Sequence, residues 1–277
     1  MGKTLFITDL DGTLLNKEAK ITPVTAKIIN GLIDEGMIFT YATARGLTST
    51  LRIAGDINFK EPGVQHNGVF IQNPKTGEYF DKCLFDKNKI IEFIKICEKN
   101  SIYLVVFAFI DGRERASWIQ GKETEGMLYY LESRKNDKRL RPINNYNELI
   151  DGDIYEMTFM ENSEDKIIKA ENILNLNSYF AYHKYRDVYS NTYFMEIMRS
   201  DAGKDSGVLK VKELVGADKI VCFGDNINDI PMFNVSNEKY AVANAVDEVK
   251  NIATDVIGSN EDDGVAKWLE KYAHNYF

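Results

Sequence analysis

The chain has 277 residues and a net charge of −8, from 34 lysines and arginines against 42 aspartates and glutamates. Apolar residues make up 44% and charged residues 27% of it, a composition that is typical of folded globular proteins and excludes disorder, collagen and coiled coil. The acidic balance, without a basic stripe, argues against nucleic acid as the main partner.

Cysteine content and hydropathy indicate the compartment. Three scattered cysteines are too few for a disulfide framework or a zinc site and are typical of reduced thiols. The longest apolar run, Ile102 to Ile110, is far shorter than the roughly 20 residues of a membrane-spanning helix. Asp9 and Asp11 interrupt the apolar N-terminus where a signal peptide would be hydrophobic. We therefore expect a cytoplasmic protein with no membrane contact and no obligate protein partner.

Both ends of the chain alternate short apolar strands with helices, which is typical of a parallel α/β sheet. The first predicted strand, Thr4 to Thr8, leads into Asp9. Thr22 and Pro23 are typical of a helix N-cap and first turn, and an apolar stripe predicts a helix that ends before Gly36. The other elements predicted for this core are strands 37–42, 219–223, 240–243 and 255–257 and helices 205–215 and 262–273.

The pattern between these two halves is different. It predicts helices at 88–99, 122–131 and 163–176 and strands at 102–109, 113–119, 154–160 and 180–185, with a polar loop before the third strand. Paired strands separated by single helices are typical of an α+β domain with an antiparallel sheet. We therefore predict an α/β parallel-sheet core, residues 1–82 and 190–277, interrupted by an α+β domain, residues 83–189.

Two features of the insert allow more than one interpretation. The basic run at 135–141 is expected to be a solvated loop, and the alternative is a patch that steers a phosphorylated ligand. The aromatic residues form either the insert's core and interface or the wall of a leaving-group pocket. They include Phe107, Phe109, Trp118, Tyr129, Tyr130, Tyr182, Tyr185 and Tyr189.

Polar segments stand at or near the ends of the predicted core strands, the edge of a parallel sheet where ligands bind. These segments are Asp9-Leu10-Asp11-Gly12-Thr13, Thr43, Lys204 and the run from Gly224 to Asp229. Four carboxylates converging there would repel one another unless a cation neutralised them. Oxygen ligands without His or Cys favour Mg²⁺ over Zn²⁺, and Mg²⁺ usually shares its site with a substrate phosphate. The sequence therefore predicts phosphate chemistry.

The spacing of Asp9 and Asp11 suggests a division of labour. Side chains at i and i+2 of an extended segment point the same way, so one carboxylate could attack while the other exchanges a proton. Gly12 would let the chain turn sharply out of the strand. Lys204 and the hydroxyl of Thr43, with the backbone N–H after it, would stabilise charge on a transferring phosphoryl group.

In order and spacing, four segments resemble the motifs of the haloacid dehalogenase-like superfamily: DLDGTLL, the ATAR that contains Thr43, Gly203-Lys204-Asp205 and FGDNINDIPM. The large insert between the second and third motifs is similar to that of its Cof-type phosphatases. The resemblance implies a Rossmann-like core with an inserted α+β cap domain of type IIB that closes over the site. It also implies a small phosphorylated metabolite as substrate and Mg²⁺ as cofactor.

The resemblance further implies a role for each motif residue. Asp9 would be the nucleophile and a Mg²⁺ ligand, and Asp11 the general acid/base that also ligates the ion through its backbone carbonyl. Asp225 would be the third protein ligand, and Asp229 would support the metal site from behind the ligands. The phosphoryl group would be held by Thr43, Ala44, Lys204 and Asn228. The family often has Gly at the position of Ala44, where only the backbone N–H is needed. Arg45 either contacts the leaving group or is a solvated residue at the rim of the site.

The function expected is Mg²⁺-dependent hydrolysis of small organic phosphomonoesters, such as sugar phosphates or phosphorylated cofactors, through an aspartyl-phosphate. The alternatives are a sugar phosphomutase and a non-catalytic sensor of a phosphorylated metabolite, although a sensor needs neither a nucleophile nor a proton donor. His66 lies outside the set of carboxylates and is attributed to loop packing, and Asn67-Gly68 to a turn.

Overall fold

The computed structural model describes residues 2–187 and 191–277. Tyr189, one of the insert's predicted aromatic residues, and the predicted boundary between residues 189 and 190 lie outside the described residues. Within the described ranges, none of the helices combines the length and the hydropathy that crossing a bilayer requires.

The elements and the two compact units they form are as follows. The strands are β1 (Thr4–Thr8), β2 (Ile38–Tyr41), β3 (Gly63–Gln65), β4 (Phe70–Gln72), β5 (Tyr79–Lys82), β6 (Leu104–Ile110), β7 (Arg113–Ile119), β8 (Leu140–Ile143), β9 (Asp153–Glu161), β10 (Phe180–Arg186), β11 (Tyr193–Arg199), β12 (Lys219–Gly224), β13 (Glu238–Val242) and β14 (Asp255–Ile257). The α-helices are α1 (Pro23–Asp34), α2 (Leu47–Ala54), α3 (Lys87–Lys99), α4 (Glu125–Ser133), α5 (Glu164–Asn175), α6 (Lys204–Val215), α7 (Ile230–Val235), α8 (Asp247–Lys250) and α9 (Gly264–Tyr272). One unit comprises residues 1–82 and 202–277, and the other residues 83–201.

The first unit is built on a parallel sheet with the strand order β14-β13-β12-β1-β2. β1 is buried along its whole length, as expected for a parallel strand whose two faces are both covered. Helices α1, α6, α7 and α9 contribute apolar side chains to the core around this sheet. The predicted α/β parallel-sheet core is therefore confirmed.

Local signals in the sequence account for the helix ends in this unit. The hydroxyl of Thr22 accepts a hydrogen bond from the Thr25 N–H at 3.0 Å, and Pro23 is the first residue of α1. Gly36, just beyond α1, has a φ of +111°, and Gly216, which ends α6, has a φ of +65°. Both glycines adopt the left-handed backbone that favours this residue at a helix C-terminus.

The segment between Thr43 and Lys82 has structure that the sequence pattern did not predict. It forms α2 and a small antiparallel sheet in the order β3-β4-β5. Strands of three or four residues are too short to show a clear alternation of apolar and polar side chains.

The second unit has a sheet in the order β10-β11-β9-β6-β7-β8. Its neighbouring strands run antiparallel except for β7 and β8, which run parallel. Helices α3 and α5 pack apolar side chains against this sheet, among them Phe93 and Ile167. The insert is therefore α+β, as predicted. Phe107, Trp118 and Tyr130 are buried in it.

Two predictions about the insert need correction. β11 pairs with both β9 and β10, so this unit extends to Asp201, and the core resumes at Ala202 rather than at residue 190. The basic run is not wholly a solvated loop, because Leu140–Ile143 form β8 beside β7. Arg139 pairs with Asp137 at 2.8 Å.

Candidate active site

The candidate site lies at the carboxyl edge of the parallel sheet, where β12, β1 and β2 end side by side. Asp9 follows β1, and its N–H donates to the carbonyl of Phe223 in β12 at 2.9 Å. Asp225 follows β12, and Thr43 lies just beyond β2. Lys204 is the first residue of α6. The topology thus brings together residues that are far apart in the sequence.

A buried lysine joins two buried carboxylates at the centre of the site. Lys204 Nζ lies 2.5 Å from Asp9 Oδ1 and 2.6 Å from Asp229 Oδ1. The side chain of Lys204 is 1% exposed and that of Asp229 is 0% exposed. Burial alone would lower the pKa of Lys204, but the charges of Asp229 and Asp9 raise it above its ordinary value. The ammonium group is therefore charged and compensates both carboxylates.

Asp229 also fixes the turn that carries Asp225. Its Oδ2 accepts hydrogen bonds from the N–H groups of Asp225 at 2.9 Å and Asn226 at 3.0 Å. Thr13 Oγ1 donates to Asp225 Oδ1 at 2.7 Å. A side chain at Gly224 would come within 2.8 Å of the Asp229 carboxylate. Asp225 is therefore held in place by Thr13 of the first motif and by Asp229 of the fourth.

The donor set fits a divalent cation. Asp9, Asp225 and Asp229 each offer one carboxylate oxygen, and these oxygens lie within 4.8 Å of one another. With all three carboxylates ionised, the one ammonium group of Lys204 leaves the cluster with a net charge of −2. Burial raises the pKa of Asp9 well above its ordinary value, Lys204 opposes this shift, and the charges of Asp229 and Asp225 add to it. Burial also raises the pKa of Asp225 to about 6. A hard cation with oxygen ligands would relieve this crowding.

Asp11 departs from the expectation that four carboxylates converge. Arg45 Nε and Nη2 donate to its two carboxylate oxygens at 2.6 and 2.7 Å, and Arg45 Nη1 donates to Ser49 Oγ at 3.0 Å. The Asp11 side chain is 48% exposed and does not belong to the buried cluster. Because β1 ends at Thr8, one residue before Asp9, strand alternation does not set the direction of the Asp11 side chain. The expected ligation of the metal ion by the backbone carbonyl of Asp11 does not depend on the direction of this side chain.

The predicted phosphate-binding residues occupy neighbouring loops. Thr43 is buried, and its hydroxyl accepts a hydrogen bond from the Arg45 N–H at 3.2 Å. Ala44, between them, is exposed. Asn228 lies in the turn before α7, and its Nδ2 donates to Asn67 Oδ1 at 3.5 Å.

Two contributors to the site, Asn244 and Asn67, were not predicted from the sequence. Asn244 Nδ2 donates to the carbonyl of Gly12 at 2.7 Å across 232 residues of chain, and no local pattern predicts such a contact. Asn67 has a recognisable signal, since Asn-Gly is a turn dipeptide, but that signal does not indicate proximity to Asn228.

Comparison with known proteins agrees with this fold. The profile of the haloacid dehalogenase-like hydrolase family matches residues 6–269. Two curated relatives from Bacillus subtilis (strain 168) are named 5-amino-6-(5-phospho-D-ribitylamino)uracil phosphatases. YwtE is 26% identical over 282 residues, covering 95% of this chain and 96% of YwtE, and YitU is 27% identical over 287 residues, covering 97% of each. The crystal structure of TM0651 from Thermotoga maritima matches with a TM-score of 0.78 at 23% identity, covering 98% of this chain and 97% of that one.

The fold is that of an α/β protein with a parallel-sheet core and an inserted cap domain. The chain belongs to the haloacid dehalogenase-like hydrolase family. The resemblance predicted from the motifs is therefore confirmed, and the named relatives support the predicted class of phosphoric monoester hydrolase.

The glycine of the first motif gives a test of the site's geometry. Gly12 has a φ of +78°, and an added Cβ would overlap the Asp225 carboxylate. We expect Gly12→Ala to lower the free energy of unfolding by about 1–2 kcal/mol, the cost of the left-handed backbone, and to displace Asp225. Mg²⁺ affinity, measured by calorimetry, should therefore fall by about tenfold or more.

Gly216→Ala is the matched control. Gly216 also has a positive φ, but an added Cβ there would have no atom within 4 Å. The Gly216→Ala protein should show a similar decrease in the free energy of unfolding by chemical denaturation and keep the wild-type affinity for Mg²⁺. A Gly12→Ala protein that binds Mg²⁺ as the wild type does would contradict the described position of Asp225.

Proposed function

We propose that the protein is a Mg²⁺-dependent phosphatase that hydrolyses small organic phosphomonoesters through an aspartyl-phosphate intermediate. The observation that carries this proposal is the buried arrangement of Lys204, Asp9 and Asp229 beside Asp225, in which three carboxyl groups share one ammonium group. Membership of the hydrolase family supports the same conclusion.

In the first step Asp9 attacks the phosphorus atom. Lys204 Nζ donates a hydrogen bond to Asp9 Oδ1, so Oδ2 is the oxygen assigned to the attack. The bond between phosphorus and the leaving-group oxygen breaks, and that oxygen takes a proton from Asp11. Mg²⁺ bound beside Asp9 and Asp225 would neutralise part of the negative charge on the phosphoryl group.

In the second step a water molecule attacks the phosphorus atom of the aspartyl-phosphate. Asp11, now a carboxylate, takes the proton of that water, and the bond between phosphorus and Asp9 breaks to release inorganic phosphate. Both oxygens of Asp11 are held by Arg45 in the structure. Arg45 must therefore release at least one of them, and Asp11 must take up a proton from solvent, before Asp11 can protonate the leaving group in the first step.

Four groups are assigned to the phosphoryl oxygens. Thr43 offers its hydroxyl, Ala44 its backbone N–H and Asn228 its side-chain amide, and Lys204 offers positive charge. The positions of Thr43 and Ala44 in one loop after β2, and of Asn228 in the turn after β12, support this assignment. Donors placed before the reaction stabilise developing charge without reorganisation.

The proposed substrates are sugar phosphates and phosphorylated cofactors. The names of YwtE and YitU describe a phosphate carried on a ribityl chain, which supports phosphorylated sugars and sugar alcohols as the first compounds to test. We also propose a cytoplasmic location, which the three buried thiols support.

Phosphate release from a panel of phosphomonoesters tests the proposal. The panel contains sugar phosphates, sugar-alcohol phosphates, phosphorylated cofactors and 5-amino-6-(5-phospho-D-ribitylamino)uracil, each with purified protein and Mg²⁺. We expect inorganic phosphate to appear without a bisphosphate activator, to stop with EDTA and to resume with added Mg²⁺. An isomerised sugar phosphate without free phosphate would indicate a mutase and contradict the proposal.

Asp9→Asn tests the nucleophile. The amide keeps the shape of the side chain but has no carboxylate to form the aspartyl-phosphate, so kcat should fall by about 10⁴-fold or more. Circular dichroism should show an unchanged fold. Asp218→Asn is the matched control, since Asp218 lies at the opposite end of β12 and accepts a hydrogen bond from the Lys3 N–H at 2.8 Å. Wild-type turnover by Asp9→Asn would refute the assignment.

The affinity for Mg²⁺ should depend on pH. Asp225 has a pKa of about 6 in the metal-free protein, so below that pH a proton competes with the cation for the carboxylate. The pKa of Asp9 is raised as well, so protons compete at both carboxylates and affinity should fall by at least tenfold for each pH unit below 6. Calorimetric titrations between pH 5 and pH 8 measure this, and equal affinity at both limits would contradict the role of Asp225.

A further inference from the structure

Three consecutive residues between β3 and β4 have left-handed backbone conformations. The φ values are +47° for His66, +51° for Asn67 and +103° for Gly68. Residues with a Cβ rarely adopt such values, and Asn is among those that tolerate them best. Strained backbone of this kind persists where the surrounding structure requires it, and it often occurs at functional sites.

One side of this loop is bonded to the segment after β2. The His66 N–H donates to the carbonyl of Arg45 at 3.2 Å, and the Asn67 N–H donates to the carbonyl of Thr43 at 3.0 Å. The Thr43 N–H in turn donates to the carbonyl of Val64 in β3 at 2.9 Å. The backbone of Thr43 is therefore held on both its N–H and its carbonyl.

The other side of the loop packs against the start of α6. A Cβ added to Gly68 would overlap the backbone of Gly203, the residue before Lys204. One added to Gly207 would lie 3.4 Å from the Cα of Gly68. The contact with Gly203 therefore requires a residue without a side chain at position 68, and Gly207 leaves room for the side chain of Val64, which an added Cβ would approach to 2.5 Å.

The side chain of Asn67 connects the loop to a third phosphate-binding element. Asn67 is 3% exposed, and its Oδ1 accepts the long hydrogen bond from Asn228 Nδ2. A carboxamide nitrogen has two N–H donors. With one of them directed at Asn67, the second N–H of the Asn228 amide remains available to a phosphoryl oxygen.

We propose that Asn67 is a positioning residue for the phosphoryl group, an inference that rests on the proposed function. Its left-handed backbone holds Thr43, and its side chain orients the Asn228 amide. The loop from His66 to Gly68 thereby sets the relative positions of the three phosphate-binding elements, which follow β2, begin α6 and follow β12.

Variants of Asn67 separate its backbone role from its side-chain role. Asn67→Gly allows the same φ but removes the contact with Asn228. We expect its thermal unfolding midpoint to stay near that of the wild type, and the inhibition constant of inorganic phosphate to rise about 3- to 10-fold, the range for loss of one hydrogen bond. Asn67→Ala also resists the left-handed backbone, so it should weaken phosphate binding further and lower the unfolding midpoint.

Asp111→Gly is the matched control. Asp111 also has a positive φ, of +50°, but it lies in the turn between β6 and β7 of the other unit. Removing its side chain should leave the inhibition constant of phosphate unchanged.

A double-mutant cycle with Asn228→Ala tests whether Asn67 acts through Asn228. If it does, adding Asn67→Gly to Asn228→Ala should cause no further rise in the inhibition constant of phosphate. Equal effects of Asn67→Gly in both backgrounds, or no effect in an active wild-type background, would overturn the inference alone. A wild-type protein that neither hydrolyses a phosphomonoester nor binds phosphate with Mg²⁺ would overturn the proposed function, and this inference with it.

Discussion

The site depends on one buried ammonium group shared by two buried carboxylates. Lys204 joins Asp9 and Asp229. Asp9 follows β1, Lys204 begins α6, and Asp229 lies in the turn after β12. Removing one partner of a buried ion pair leaves an uncompensated charge and typically costs about 3–5 kcal/mol. The same contacts that hold the charges therefore hold three distant chain segments in one place.

Shared compensation by Lys204 leaves the cluster incompletely neutralised. Asp225 is brought beside Asp9 and Asp229 by backbone hydrogen bonds to Asp229 and by Thr13, and its raised pKa reflects burial and the charge of Asp229. The opposite charges of Asp11 and Arg45 cancel, so this pair does not change the net charge of the site. A site that is rigid and short of positive charge is suited to a divalent cation with a phosphate group beside it.

The sequence predicted the core and the strand-edge residues because continuous apolar strands ended at polar motifs. It did not predict β11 as part of the insert, because the pairing of this strand with β9 and β10 is decided by tertiary contacts and not by the local pattern of residues. The direction of the Asp11 side chain was equally hidden, because its partner Arg45 lies 34 residues away. Local pattern thus located the charged residues, and long-range pairing decided which of them are buried together.

The most direct measurement of the central claim is a crystal structure of the protein grown with Mg²⁺ and a phosphate analogue. The account predicts one ion with oxygens of Asp9 and Asp225 at about 2.1 Å, the analogue beside it, and Lys204 still joining Asp9 to Asp229. An ion bound elsewhere, or an analogue bound away from this edge of the sheet, would contradict it.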